Sequence, residues 1–153
     1  MGERLDAGTI CTRLVTFAER TMPVNEAAQL MRTHHVGCLV VVDDRPTGRV
    51  PVGIVTDRDI VTTVVAKDVD PRTLQVQDVM SADLVTATSD ASVIDLLRTM
   101  RAKGLRRLPV TDDAGTLVGL VSLDDLLGII TEELRATVAA IEAEQARESR
   151  LRR

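Results

Sequence analysis

Two short segments place a hydroxyl residue three positions before an aspartate, at Thr56-x-x-Asp59 and at Ser122-x-x-Asp125. At the start of a helix such a pair forms a capping box, in which the hydroxyl and the carboxylate bind free backbone amides. The same carboxylate offers two acceptor oxygens, which suit the vicinal hydroxyl groups of a ribose. Free amides at a helix start also favour a nearby phosphate. The spacing therefore indicates helix capping, either alone or combined with nucleotide binding.

A glycine stands three residues before each hydroxyl, at Gly53 and Gly119. Glycine inside a predicted strand is typical of a place where a ligand approaches the backbone closely. The pattern places the candidate chemistry where a strand ends and a helix begins.

The two segments belong to an internal repeat of roughly 60 residues. Residues 24–44 align with residues 93–113, and residues 53–59 align with residues 119–125. Between these blocks the first copy has three more residues than the second. We assign them to a turn within residues 45–51, because insertions concentrate in turns. A unit of this size buries little surface alone, so we expect the copies to share a core.

Each copy is predicted to fold in the order strand, helix, strand, strand, helix, from its apolar runs and helical spacing. The predicted strands are residues 14–17, 38–42 and 52–55 in the first copy, and residues 84–87, 108–111 and 117–121 in the second. The first helices are predicted to begin at the N-caps Thr21 and Asp90, and the second helices at Thr56 and Ser122.

The final helix carries an apolar stripe that is longer than a small domain needs for its core. Its members are Leu123, Leu127, Ile130, Leu134, Val138 and Ile141. The extension past Leu134 favours contact with a partner chain. From Glu142 onward the sequence is mostly polar, which indicates a frayed and solvated helical tail.

Composition excludes several classes of protein. The formal net charge of −4 and the single aromatic residue, Phe17, argue against a nucleic-acid binder. No apolar run approaches the length of a membrane span, so we expect no membrane insertion. Cys11 and Cys38 lack a C-x-x-C spacing, and no charged-then-apolar leader is apparent. We therefore expect a cytoplasmic protein with two buried, reduced thiols.

Other reactive residues do not form a catalytic pattern. His34 and His35 are adjacent, so they point in different directions from a helix end, and no cysteine or acid stands at ligand spacing from both. We interpret them as partners of the helix dipole, with contact to a phosphate as the alternative. The acidic pairs at residues 43–44, 112–113 and 124–125 have no accompanying nucleophile–base pair, and we expect turns at the first two. We therefore expect no enzyme and no metal site.

The repeat resembles a stand-alone bacterial pair of CBS domains, sometimes called a Bateman module. The residues that carry the likeness are 28–31, 36–43 and 53–59 in the first copy, 105–112 and 119–125 in the second, and the linker 76–81. The likeness covers roughly residues 8–130, and it is specific because two copies occur in register. One departure is Val40, where copies in this family commonly carry a proline, as the second copy does at Pro109.

The resemblance implies an α/β (α+β) fold of two tandem βαββα units related by a pseudo-two-fold axis, followed by a long C-terminal helix. We place the first unit at residues 8–67, the linker at residues 68–81, the second unit at residues 82–134 and the helical tail at residues 135–153. In this family two symmetry-related clefts between the units can hold adenosine ligands.

By this resemblance the two aspartates would bind ribose, nearby arginines would bind phosphate, and aliphatic residues would enclose the adenine. The candidate nucleotide-binding residues are Val36, Gly37, Cys38, Ile54, Thr56, Arg58, Asp59, Met80, Leu105, Arg106, Arg107, Leu120, Ser122 and Asp125. For the arginine pair the alternative is a solvated surface, and for the wall residues it is the hydrophobic core.

The two copies differ in charge beside these aspartates. Arg58 precedes Asp59, whereas Asp124 precedes Asp125. Repulsion between Asp124 and a phosphate about 6 Å away is roughly 3 kcal/mol per unit charge at an effective dielectric constant near 20. We therefore expect the first cleft to tolerate a longer phosphate chain, provided that neither arginine of the pair 106–107 compensates in the second.

The sequence thus predicts a non-catalytic sensor that binds AMP, ADP, ATP, NAD or S-adenosylmethionine as a regulatory ligand and requires no cofactor. We expect a homodimer that controls an unidentified effector protein. The alternative is a ligand-free structural or dimerisation module that controls a partner protein and whose clefts are closed by side chains.

Overall fold

Each copy of the repeat folds around a three-stranded sheet in a computed structural model that describes residues 5–152. The first strand runs parallel to the second, and the third runs antiparallel to the second. A helix connects the two parallel strands, and another helix follows the third strand. The predicted fold class, with tandem βαββα units and a long final helix, is confirmed.

The elements of the two copies correspond one to one. The first copy contains β1 (Phe17–Glu19), α2 (Val24–His34), β2 (Cys38–Arg45), β3 (Gly48–Thr56) and α3 (Asp57–Ile60), which continues as a π-helical turn (Val61–Val65). The second contains β4 (Ala87–Thr88), α5 (Val93–Lys103), β5 (Arg107–Thr111), β6 (Leu117–Ser122) and α6 (Leu123–Leu151). The short helices α1 (Ala7–Ile10) and α4 (Val76–Val79) precede the respective copies, and a 3₁₀ turn (Pro71–Thr73) precedes α4.

The helices that precede the copies are exchanged between the two hydrophobic cores. Ala7 of α1 and the adjoining Cys11 are buried in the core of the second sheet, although they come before β1. Val76 and Val79 of α4 are buried in the core of the first sheet, although they come before β4. The segment leading into each copy therefore packs on the other copy.

Two reciprocal backbone bridges continue this exchange. The N–H group of Ile54 in β3 donates to the carbonyl of Ser81 at 3.1 Å, and the N–H group of Ser81 donates back at 2.8 Å. Leu120 in β6 and Thr12 form the same pair at 3.0 and 2.9 Å. The matching bridges relate the copies in the manner of a pseudo-two-fold pair.

Gly53 and Gly119 permit this close approach of backbone to backbone. A Cβ atom at position 119 would lie 2.7 Å from the carbonyl oxygen of Thr12, and one at position 53 would lie 2.8 Å from that of Ser81. The sequence analysis assigned these glycines to the approach of a ligand. That interpretation is corrected, because the exchanged segments occupy the space beside both glycines.

The three extra residues of the first copy lengthen a hairpin instead of enlarging a turn. Strands β2 and β3 have eight and nine residues, whereas β5 and β6 have five and six. Arg45 pairs with Gly48, so only residues 46 and 47 form the turn. The assignment of the insertion to a turn within residues 45–51 is therefore wrong.

The acidic pair at residues 43–44 consequently lies in β2 and not in a turn. Asp43 accepts a hydrogen bond from Arg20 at 2.7 Å, and this contact holds the pKa of the Asp43 carboxyl below its ordinary value. Asp44 lies 3.5 Å from Arg49 across the hairpin. The expected turn at residues 112–113 is confirmed, because Asp112 accepts two backbone N–H bonds there.

The first strand of each copy begins later than predicted. Strands β1 and β4 begin at Phe17 and Ala87, so residues 14–16 and 84–86 stay outside the sheets. Parallel pairing sets this limit, since β1 meets β2 only from the pair Phe17 and Val40 onward.

The N-caps of the first helices also differ from the prediction. Helix α2 begins after Pro23 without a side-chain cap, so Thr21 is not its cap. Helix α5 is capped by Ser92 and not by Asp90. The hydroxyl of Ser92 accepts the N–H of Asp95 at 3.2 Å, which is the capping arrangement that a hydroxyl and an acid three residues later favour.

Helix α6 extends for 29 residues, and every residue from 131 to 152 is exposed. The helix continues to Leu151. The fraying expected from Glu142 stays a prediction. Residue 153, the end of the predicted tail, lies outside the described residues.

The exchange of segments predicts a large cost for a methyl group at position 119. We expect Gly119→Ala to lower the free energy of unfolding by about 1–3 kcal/mol, because the new Cβ overlaps the backbone of Thr12. Gly128→Ala is the matched control: its Cβ meets open space, and alanine in a helix interior should stabilise by up to about 1 kcal/mol. Urea denaturation of both variants measures the difference, and equal midpoints would contradict the exchange.

Candidate functional site

A cleft of about 300 Å³ lies between the two copies. Thr12, residues 14–16 and residues 35–38 line it from the first half of the chain, and Arg107, Leu120, Ser122 and Asp125 line it from the second. The first group consists of the exchanged segment before β1 and the connection from α2 to β2. The cleft therefore exists only because the two copies are paired.

Ser122 and Asp125 form a complete capping box at the start of α6. The Ser122 hydroxyl accepts the N–H of Asp125 at 3.1 Å, and Asp125 Oδ2 accepts the N–H of Ser122 at 2.9 Å and its hydroxyl at 2.7 Å. Asp125 Oδ1 forms no hydrogen bond within residues 5–152. One carboxylate oxygen thus caps the helix, and the other remains able to accept a hydrogen bond from a ligand.

Thr56 and Asp59 form the same arrangement at the start of α3. The Thr56 hydroxyl accepts the N–H of Asp59 at 3.1 Å, and Asp59 Oδ2 accepts the N–H of Thr56 at 2.8 Å. The prediction that the second helix of each copy begins at these hydroxyl residues is confirmed. Capping and ligand binding are compatible roles for both aspartates, since Asp59 Oδ1 also has no hydrogen-bond partner in the described part of the chain.

The walls of the cleft are aliphatic. Val36 and Leu120 line the cleft from opposite copies. Leu14 also lines it, and 94% of its surface is exposed. Cys38 is buried, and burial raises the pKa of its thiol above the ordinary value. The thiol therefore stays neutral near pH 7 and contributes an apolar wall.

The arginines take different positions. Arg107 is exposed and lines the cleft. Arg106 lies 3.6 Å from Asp124, and both side chains are exposed. The expected difference between the clefts assumed that neither arginine compensates for the charge of Asp124. Because Arg106 pairs with Asp124, repulsion between Asp124 and a phosphate no longer favours the first cleft.

The cleft gathers seven of the fourteen predicted site residues: Val36, Gly37, Cys38, Arg107, Leu120, Ser122 and Asp125. The other seven do not line it: Ile54, Thr56, Arg58, Asp59, Met80, Leu105 and Arg106. Among these, Thr56 and Asp59 cap α3, Ile54 bridges to Ser81, and Met80 packs beside Gly53. These four lie at or beside β3 and α3 of the first copy, whereas Leu105 packs against the core of the second copy. The binding role of all seven stays a prediction.

Sequence reasoning missed five residues that line the cleft. Thr12, Leu14, Val15 and Thr16 precede β1, and the sequence analysis assigned three of them to a strand. His35 was interpreted as a partner of the helix dipole. The repeat contained one signal for the four residues before β1, because residues 81–85 occupy the same place before β4.

Residues 5–152 contain no group of three or more acidic, histidine or cysteine residues arranged to hold a metal ion. The same part of the chain contains no helix whose length and apolar character would let it cross a membrane.

The sequence matches the model of the CBS domain family twice, over residues 7–66 and 76–132. The chain belongs to the CBS domain family. The tandem pair predicted from the repeat is therefore confirmed, and its general character is that of a CBS-pair regulatory module.

Relatives of this CBS pair occur in archaea and bacteria. The chain is 34% identical over 125 residues to the protein MK0525 of Methanopyrus kandleri, covering 82% of this chain and 62% of that protein. It is 37% identical over 118 residues to the CBS domain-containing protein YhcV of Bacillus subtilis, covering 77% of this chain and 79% of that protein. This chain thus spans less than two thirds of the Methanopyrus protein.

Solved structures share the fold. A hexameric CBS-CP12 protein from bloom-forming cyanobacteria matches with a TM-score of 0.70 at 30% identity, over 82% of this chain and 68% of that one. The CBS domain pair of the protein MJ0100, in complex with methylthioadenosine and S-adenosylmethionine, matches with a TM-score of 0.70 at 25% identity, over 82% and 98%.

The capping box at α6 predicts a graded response at Ser122. We expect Ser122→Ala to lower the free energy of unfolding by about 1 kcal/mol and Ser122→Gly by only a few tenths, because glycine tolerates the cap conformation without a side chain. Thermal unfolding of the two variants and the wild type measures this order. An alanine variant as stable as the wild type would show that the hydroxyl does not cap α6.

Proposed function

We propose that this CBS pair is a non-catalytic regulatory module that binds an adenosine-containing ligand in the cleft at Ser122 and Asp125. The proposal rests on the set of residues that line one cleft. It combines a carboxylate with an unused oxygen, aliphatic walls and the cation Arg107. These match the three parts of a nucleotide.

Each part of the ligand has a matching surface. The purine fits between Val36 and Leu120, where apolar burial stabilises a flat ring. The ribose hydroxyl groups donate to Asp125 Oδ1, and Arg107 pairs with a phosphate. AMP, ADP, ATP, NAD and S-adenosylmethionine all carry the adenosine that this arrangement fits. The complex of the MJ0100 pair with two adenosine compounds supports the same ligand class.

The chemistry of the cleft supports binding without catalysis. Burial raises the pKa of the Cys38 thiol, so little nucleophilic thiolate forms near pH 7. The Ser122 hydroxyl donates to Asp125 within the cap and is held there. The free thiols of Cys11 and Cys38 fit a reducing compartment, which supports a cytoplasmic location. The regulatory consequence of binding is a change in an effector protein that responds to whether the ligand is bound.

Ligand binding is tested by calorimetric titration with AMP, ATP, NAD and S-adenosylmethionine. We expect a dissociation constant on the order of 10 μM for AMP, from a typical binding energy per heavy atom. At a hundredfold excess over this constant the ligand should add about 2.7 kcal/mol of stability. Asp125→Ala should weaken binding about tenfold or more, because it removes the ribose acceptor.

Asp95→Ala is the matched control for that variant. At the start of α5, away from the cleft, Asp95 accepts the Ser92 hydroxyl at 2.6 Å while that hydroxyl accepts the Asp95 N–H, so its loss should cost stability without changing affinity. Asp59→Ala reports on the corresponding junction of the first copy. If none of the four ligands binds at millimolar concentration, the ligand-free structural module replaces this proposal.

A homodimer is the second proposal, and exposed apolar residues support it. Val61 and Val65 follow α3, while Leu127 and Leu134 lie on α6, the corresponding helix of the second copy, and all four are more than half exposed. The stripe continues through Val138. Apolar faces at matching places on both copies favour a second copy of the chain as the cover.

Light scattering of paired variants tests the homodimer. We expect Leu134→Glu combined with Val138→Glu to reduce the particle mass to the 16.6 kDa of one chain, because two charges would enter the apolar contact. Ala136→Glu combined with Ala139→Glu adds the same charges about half a helical turn away and should leave the dimer intact. A wild-type mass of 16.6 kDa at micromolar concentration would refute the dimer.

A further inference from the structure

His35 adopts a backbone conformation that glycine adopts in the second copy. It ends α2 with φ 53° and ψ 41°, and its N–H group donates to the carbonyl of Met31. Gly104 ends α5 with φ 64° and ψ 35°, and its N–H group donates to the carbonyl of Met100. A side chain in this left-handed region is unfavourable relative to glycine. The first copy therefore keeps an imidazole at a position where glycine performs the same structural task.

The end of α2 places His35 in the lining of the cleft described above. His35 lines it together with Arg107, which comes from the other copy. The neighbouring His34 instead lines a separate apolar groove with Phe17 and Leu30. The two adjacent histidines thus line different surfaces. Of the two, only His35 brings a hydrogen-bond donor to the cleft that also contains Arg107.

The other groups of the cleft leave these two donors available for an anion. Asp125 is the acid that lines it, and its Oδ2 is held in the cap of α6. Cys38 stays neutral because burial raises the pKa of its thiol. Arg107 forms no ion pair among the described residues. A guanidinium and an imidazole on one cleft complement a phosphate, which accepts several hydrogen bonds at once.

We propose that His35 is a specificity-determining residue that donates to the phosphate of the ligand and makes this cleft select a phosphorylated adenosine. The inference rests on the proposed function, because it assumes that adenosine occupies the cleft. It separates this chain from a site for methylthioadenosine, whose thioether accepts hydrogen bonds only weakly. The left-handed backbone ends α2 at His35, among the residues that line the cleft.

Calorimetric titration with AMP, adenosine and methylthioadenosine tests the proposal. The wild type should bind AMP more tightly than the two compounds that lack phosphate. His35→Gly introduces the residue that the second copy uses, so the fold should keep its stability. This variant should lose about tenfold in affinity for AMP, the effect of one hydrogen bond to a charged group, and keep its affinity for adenosine. His34→Ala is the control and should change neither affinity.

The possible outcomes separate the two levels of the argument. If His35→Gly weakens AMP and adenosine equally, or changes neither, the role of His35 is refuted while adenosine binding stands. If the wild type binds adenosine as tightly as AMP, selection for phosphate is likewise refuted. If the wild type binds none of the three compounds, the proposed function and the role of His35 fail together.

Discussion

The exchange of leading segments between the two copies is the constraint on which the rest of the structure depends. Thr12 pairs with Leu120, and Ser81 pairs with Ile54. The segment that precedes each copy therefore forms backbone hydrogen bonds with the third strand of the other copy. Glycine at positions 53 and 119 is the steric condition for this pairing. The exchange also brings Thr12 and residues 14–16 into the lining of the cleft. Packing of the copies and construction of the site are therefore one event.

The capping boxes show how residues that begin a helix keep an atom available for the proposed ligand. Each aspartate uses Oδ2 for the helix, which fixes the carboxylate at the junction between strand and helix. A ligand that bonds to Oδ1 meets an acceptor that is already oriented, so little conformational freedom is lost on binding. The choice between capping and binding posed by the sequence is thus removed by geometry, because one carboxylate has an oxygen for each role.

The features that the sequence predicted correctly depend on neighbouring residues, and those it missed depend on distant ones. The capping boxes at Thr56 and Ser122 follow from local spacing, and each motif that carries the family likeness spans only a few neighbouring residues. The start of β1 is set by parallel pairing with β2, which short-range patterns do not contain. Likewise the ion pair between Arg106 and Asp124 joins two segments whose proximity only the fold reveals. Seven predicted site residues meet in one cleft for the same tertiary reason.

A further difference between the copies lies in the exchanged segments. Because Arg106 pairs with the negative charge of Asp124, we compare instead the corresponding positions two residues after each backbone bridge. Leu14 stands there before β1, and the exposed Asp83 stands there before β4. A leucine at the opening favours an apolar base, whereas a carboxylate disfavours both the base and a phosphate. The pseudo-symmetric fold thus supplies two similar junctions, and the side chains on the exchanged segments favour the one at Ser122 for the proposed adenosine ligand.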